Sequence, residues 1–199
     1  MKKIMFNDKY LLTQEVLKGR KTQTRRILLP HTVHELRNGN DYQRVITLYS
    51  KYKVGEVVAV AQRYKDIALD VPVELAAELI KQPGWTNKMF TKADILTHHI
   101  RITKIRIERL QDINPMDCLA EGICPSDQRE DLSCVAPIND DKCGGIEYDH
   151  SIFGDGPWHL HPNAKLAYAD LIDHISGKGT WASNPYVFVY EFELIKTRK

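Results

Sequence analysis

Lys18-Gly19-Arg20-Lys21-Thr22-Gln23-Thr24-Arg25-Arg26 gathers five cations and two threonines with no acid among them. A run of this kind calls for an anionic or strongly polar guest. Its lead-in has the grammar of a short amphipathic helix from about Lys9 to Lys18: Asn7 or Asp8 as N-cap, Leu12 and Val16 one turn apart, and Gly19 as the left-handed residue that ends it. Lys18 and Arg20 complement the negative end of that helix dipole. Arg25-Arg26 and the Thr22-Gln23-Thr24 turn lie beyond its reach, so the second half of the stretch reads as a functional loop.

Working outward, 199 residues with 43% apolar content fit one domain spanning 1–199, with its own core. The formal net charge of +2 excludes a generally basic nucleic-acid coat, so any affinity for phosphate has to come from local clustering. No apolar run approaches the ~20 residues that span a bilayer, and Met1-Lys2-Lys3-Ile4-Met5-Phe6 turns polar at Asn7, too early for a secretory leader. The expectation is a cytoplasmic protein without a membrane partner. Cys118, Cys124, Cys134 and Cys143 lack CxxC spacing and read as free thiols.

Upstream, Ile4 and Phe6 alternate as in a short strand, and downstream the polar stretch after Pro30 reads as loop to about Tyr42, with a weak strand at Val45 to Tyr49. Gly55 is a turn glycine before Val57-Val58-Ala59-Val60, a strand buried on both faces. Val71 to Lys81 reads as a helix begun by Pro72, and Trp85 to Lys92 as irregular. Between Ile100, Ile102 and Ile105, Ile107 the alternation changes phase, which predicts a bulge at Thr103-Lys104. Asn114-Pro115 starts a helix that Gly122 ends, leaving Glu121 in its last turn, where a carboxylate faces the negative end of the dipole. Residues that break a local rule in this way are candidates for function.

From Cys124 to about Pro162 periodicity vanishes, and the segment reads as an insertion. His150, His159, His161, Cys134, Cys143 and Asp149 are residue types that ligate metals, but their spacing fits no zinc pattern, so neither a metal nor another cofactor is expected. Asn163 to Ile175 has helical spacing and stops at Gly177-Lys178-Gly179. Thr180-Trp181 then sits on a glycine-hinged loop, and Tyr186 to Leu194 forms a last strand that begins buried and ends wet.

The basic run, Gly55-Glu56 before a buried strand, Ile105-Arg106-Ile107-Glu108-Arg109-Leu110-Gln111-Asp112-Ile113, Glu121-Gly122-Ile123, and Gly177-Lys178-Gly179-Thr180-Trp181 with Asn184-Pro185-Tyr186-Val187 together resemble the ASCH-domain family of PUA-like proteins, in the longer form found in phages and prophages. The resemblance implies an α+β fold: a PUA-like mixed β-barrel with flanking helices and two insertions, at about 65–97 and 124–162. It implies a cleft for RNA or a modified nucleoside. Small bacterial relatives hydrolyse N4-acetylcytidine and related acylated cytosines with a lysine and a threonine of the basic loop and a glutamate of a later helix, which map onto Lys21, Thr24 and Glu121. Many relatives follow the buried strand with Arg-Glu and then an aromatic; here Ala61-Gln62-Arg63-Tyr64 stands in that place.

Carried onto this chain, the expectation is Lys21 as base, Thr24 as nucleophile and Glu121 as proton shuttle, because a threonine hydroxyl attacks only when a neighbour takes its proton. Arg20, Arg25 and Arg26 would push Lys21 toward the neutral form, as would burial. Arg20, Thr22, Arg25, Arg26 and Gln62 are the candidate polar contacts, with Tyr64 or Trp181 stacking on a base. The alternative is a non-catalytic module whose 124–162 insertion engages a host protein.

Overall fold

The long antiparallel pair at the centre of the fold is β4 (His99–Arg109) with β8 (Tyr186–Ile195), registered from His99 opposite Ile195 to Arg109 opposite Tyr186. The computed structural model describes residues 1–39, 41–125, 148–150 and 159–195. The register slips between Ile102 and Lys104, where the phase change predicts a bulge. One extra residue there keeps Ile100 and Ile102 on one side of the slip, and Ile107 on the other, all buried in one core. In β8 both faces are buried through Val187, Phe188, Val189 and Tyr190, and the strand then turns outward, with Glu193 exposed.

Flanking this pair, β3 (Val57–Val60) runs antiparallel to β4, β1 (Lys3–Ile4) runs parallel to β3, and β2 (Gln23–Ile27) runs antiparallel to β8. The result is a mixed five-stranded sheet of order β1-β3-β4-β8-β2 within an α+β fold. Unlike the barrel implied by the resemblance, this sheet is not closed. β1 is two residues long and gives its ladder to β3, after which the chain turns away at Asn7. The seam between the edge strands is spanned instead by a side chain: Arg26 Nη2 of β2 donates to the Met5 carbonyl just past β1 at 2.6 Å.

The basic run and the segment after it also depart from expectation. Gln23-Thr24-Arg25 lies in a strand, not in a turn, because its backbone pairs with Val189 to Glu191 of β8. Pro30–Arg37 and Tyr42–Tyr49 are helices, α2 and α3, where the sequence reads as loop and weak strand. Pro30 after an extended Leu29 is a helix start, and α3 exists because Val45, 1% exposed, is driven into the main core despite β-favouring neighbours.

The first helix, α1 (Leu12–Leu17), is shorter than expected. Asn7 Oδ1 accepts from the Lys9 backbone and Leu11 adopts φ +56°, so helical dihedrals begin only at Leu12; Gly19 closes the helix at φ +75°. In the first insertion α4 (Val73–Leu79) and several single 3₁₀ turns cover a small second core of Ala59, Tyr64, Ile67, Leu79 and Leu96. α5 (Pro115–Ala120) is capped by Asn114, whose Oδ1 accepts from the Asp117 backbone at 2.8 Å.

Of the second insertion, β5 (Cys124–Pro125), β6 (Tyr148–His150) and β7 (His159–His161) form a three-stranded sheet in that order. Cys134, Cys143 and most of the segment read as a host-protein contact lie outside the described residues. α6 (Ala164–Ser176) starts at its Asn163 cap, and Thr180–Ser183 forms a short helix, α7, rather than a loop. No helix among the described residues is long and apolar enough to cross a membrane.

Candidate active site

β2 starts beside the C-terminal end of α5. The Thr22 backbone donates to the Ala120 carbonyl at 2.8 Å, while the Thr22 carbonyl accepts from the Phe192 backbone. Gly122 reverses the chain at φ +99°, so the preceding Glu121 presents both its carbonyl and its side chain to the strand. Lys21 Nζ donates to each of them, at 2.6 Å to the Glu121 carbonyl and 2.6 Å to Glu121 Oε2. These residues are a hundred positions apart in sequence, and both side chains are almost wholly buried, at 1% and 5% exposure.

Burial lowers the Lys21 pKa and outweighs the attraction of Glu121, with the fields of Arg26 and Arg25 adding to the lowering. The expectation of a basic loop with no acid to neutralise it is therefore corrected, because the acids arrive from elsewhere. Arg25, its side chain 0% exposed, donates to Glu108 Oε1 through Nε and Nη2 (3.0 and 2.7 Å), to Asp117 Oδ2 (2.9 Å), to Glu121 Oε1 (3.0 Å) and to Gln23 Oε1 (3.1 Å). Burial would lower its pKa, but Glu121, with Glu108, raises it well above the ordinary value, so its charge is permanent. Arg106 extends the network to Asp117 (2.6 Å), Glu108 (2.9 Å) and Glu191.

Along this network and the β1–β2 seam runs a cavity of about 430 Å³, lined by Lys21, Thr24, Arg25, Arg26, Glu121 and Tyr168 over an apolar floor that includes Leu171 and Ile172. That is the size of a small-molecule site. Thr24 is buried, 5% exposed as a residue, yet its hydroxyl has no hydrogen-bond partner among the described residues. A second cavity of about 290 Å³, lined by Tyr49, Tyr52, Phe188 and Tyr190, adjoins the first at Arg26 and Ile27.

The structure thus brings Lys21, Thr24, Glu121, Arg25 and Arg26 to one cavity. Other residues singled out in the sequence go elsewhere. Arg20 is held by Glu15 through Nε and Nη2 at 2.5 and 2.7 Å, and Thr22 serves the fold through its backbone. Gln62 lines a different cavity near Asp8 and Asp66 and hydrogen-bonds the His98 ring at 2.8 Å. Tyr64 is fully buried beneath Gly84, its hydroxyl accepting from the Lys92 backbone at 2.8 Å, so it offers no face to a base. Trp181 packs edge-on against Tyr168 at 6.3 Å and does not line the cavity.

Sequence reasoning missed Gln23, Arg106, Glu108, Asp117 and Tyr168. For Asp117 the only signal is its place in the first turn of α5; for Tyr168 it is its position three and four residues before Leu171 and Ile172, on the stripe of α6 that faces inward. Cys118, buried under the network, has its thiol pushed up to about 12 by burial, which keeps it protonated and inert. Comparison of the chain with family models, curated proteins and solved structures finds no match in any of the three.

Proposed function

We propose that the protein is an ASCH-domain, PUA-like amidohydrolase that takes an N4-acylated cytidine into the cavity at the β1–β2 seam and removes the acyl group. The observation that carries this reading is the buried Lys21–Glu121 pair at 2.6 Å sharing one cavity with a buried Thr24 hydroxyl that has no partner among the described residues. A buried hydroxyl without a partner is costly, and here it stands where a reacting carbonyl could be received. The open seam spanned by Arg26 and Met5 is the place where a PUA-like barrel would close, and the guest occupies that gap.

In this reading Lys21 passes its proton to Glu121 along their short contact, and the resulting amine takes the proton of Thr24 Oγ1. The oxygen attacks the acyl carbon, the carbon–N4 bond breaks, and Glu121 returns a proton to the departing N4. Water then cleaves the threonyl ester, giving cytidine and the free carboxylic acid. The lowered Lys21 pKa eases formation of the neutral amine. RNA phosphates are less suited to the site, because Arg25 is saturated by carboxylates and Arg20 is held by Glu15.

The test is chromatographic. Purified protein given N4-acetylcytidine is expected to release cytidine, and Lys21→Ala and Thr24→Val to abolish release while melting as folded proteins. If the wild-type chain leaves acetyl, butyryl and benzoyl cytidines intact, the reading is wrong.

A further inference from the structure

Tyr168 stands on α6, 2% exposed, and lines the same cavity as Lys21, Thr24 and Glu121. Its ring is fixed from two sides, by the edge-on Trp181 at 6.3 Å and by the Arg25 guanidinium carbon 6.0 Å from its centroid. Its hydroxyl has no hydrogen-bond partner among the described residues. A packing role would be filled equally well by phenylalanine, because the oxygen adds a desolvation cost and returns nothing to the fold.

Apart from the Thr24 hydroxyl, which is spent as the nucleophile, the charged side-chain donors described around the cavity are already engaged. The Arg25 Nε and both its terminal nitrogens are engaged by Gln23, Glu108, Asp117 and Glu121, and Lys21 Nζ is directed at Glu121 twice. Arg26 is exposed and reaches the Met5 carbonyl. Hydrolysis of an acyl group builds negative charge on the carbonyl oxygen, which needs a donor already in place. Burial and the neighbouring Glu121 carboxylate both raise the Tyr168 pKa far above its ordinary value, so the phenol keeps its proton.

We infer that Tyr168 is a substrate-contacting residue whose hydroxyl donates to the acyl carbonyl oxygen of the guest and steadies the charge that forms there, an assignment that rests on the acyl-cytidine reading above. It belongs to this chain's α6, outside the basic strand that carries Lys21 and Thr24.

Tyr168→Phe tests it, because the change removes one oxygen and keeps the ring against Trp181 and Arg25. The expected result with N4-acetylcytidine is a kcat lower by about 10²–10³-fold, as for loss of an oxyanion donor, with KM changed by less than about threefold and a melting temperature equal to or above wild type. Unchanged kcat in the variant overturns the role of Tyr168 and leaves the amidohydrolase reading standing. If wild type hydrolyses none of the acylated cytidines, that reading falls, and the role of Tyr168, which rests on it, is overturned with it.

Discussion

Replacing Arg25 separates an internal structural cation from a surface cation that waits for phosphate. The side chain is 0% exposed and donates to three carboxylates whose own exposures are 17%, 15% and 5% for Glu108, Asp117 and Glu121. Arg25→Ala leaves those three negative charges facing one another, and Arg106 and Lys21 can recover only part of the loss. Removing one partner from a buried pair costs about 3–5 kcal/mol, whereas a solvated arginine changes stability by about 0.5 kcal/mol or less. For a chain of this length a kcal/mol moves the melting temperature by about 2–4 °C, so the expected drop is roughly 6–20 °C. Differential scanning calorimetry at neutral pH reads it directly. The drop should persist at high salt, because buried charges are screened far less than surface ones. Arg25→Lys should fall between, since a single ammonium cannot reproduce the forked contacts to Glu108, Asp117 and Glu121. An Arg25→Ala variant melting within about 2 °C of wild type would refute the buried-network account and return Arg25 to the pool of phosphate contacts.

Activity should fall as pH rises through the lowered Lys21 pKa, because loss of the pair's proton to solvent removes the proton that Glu121 returns to N4; a kcat/KM profile flat up to 10.5, the ordinary lysine value, would remove the pair from that role. By the same linkage the unfolded lysine holds a proton that folded Lys21 sheds, so its contribution to stability rises with pH through that window and is complete above 10.5. Gly84→Ala should destabilise by about 1–3 kcal/mol in urea titration, since a Cβ there would stand 2.4 Å from Tyr64 Cε2 inside the small second core; an unchanged midpoint would mean Tyr64 is free to move.

The elements that were legible are those whose cause is local. Asn114 and Asn163 cap helices, Gly19 and Gly122 reverse the chain at positive φ, and the bulge at Thr103-Lys104 follows from where the isoleucines must point. α3 was not legible, because Val45 and its neighbours favour a strand on intrinsic preference and only the distant core makes them helical. The three residues mapped from the resemblance, Lys21, Thr24 and Glu121, meet at the cavity. The partners of Arg25 were hidden for a different reason: Glu108 and Asp117 lie 83 and 92 residues away, and a solvated acid has the same local pattern as a buried counter-ion.

That hidden neutralisation bears on what the site selects. A basic run by itself implies a polyanion, whose binding rests on cations free to displace counterions. Here Lys21, Arg25 and Arg106 face Glu108, Asp117, Glu121 and Glu191, three cations against four carboxylates, and Arg26 beside them restores the balance. A polyanion would have to pull Arg25 out of a permanent set of partners, whereas a neutral guest meets no such penalty. Besides the exposed Arg26, what the cavity still has to offer is polar but uncharged: chiefly the Thr24 hydroxyl and the Tyr168 phenol, set between a buried ion pair and an apolar floor. Such a lining suits an acylated base, whose amide supplies a carbonyl carbon for one hydroxyl and a carbonyl oxygen for the other, and it disfavours a phosphodiester chain. Lys21 and Arg25 of the basic run hold the site together, and the Thr24 and Tyr168 hydroxyls, without partners among the described residues, are the groups left for the guest proposed above.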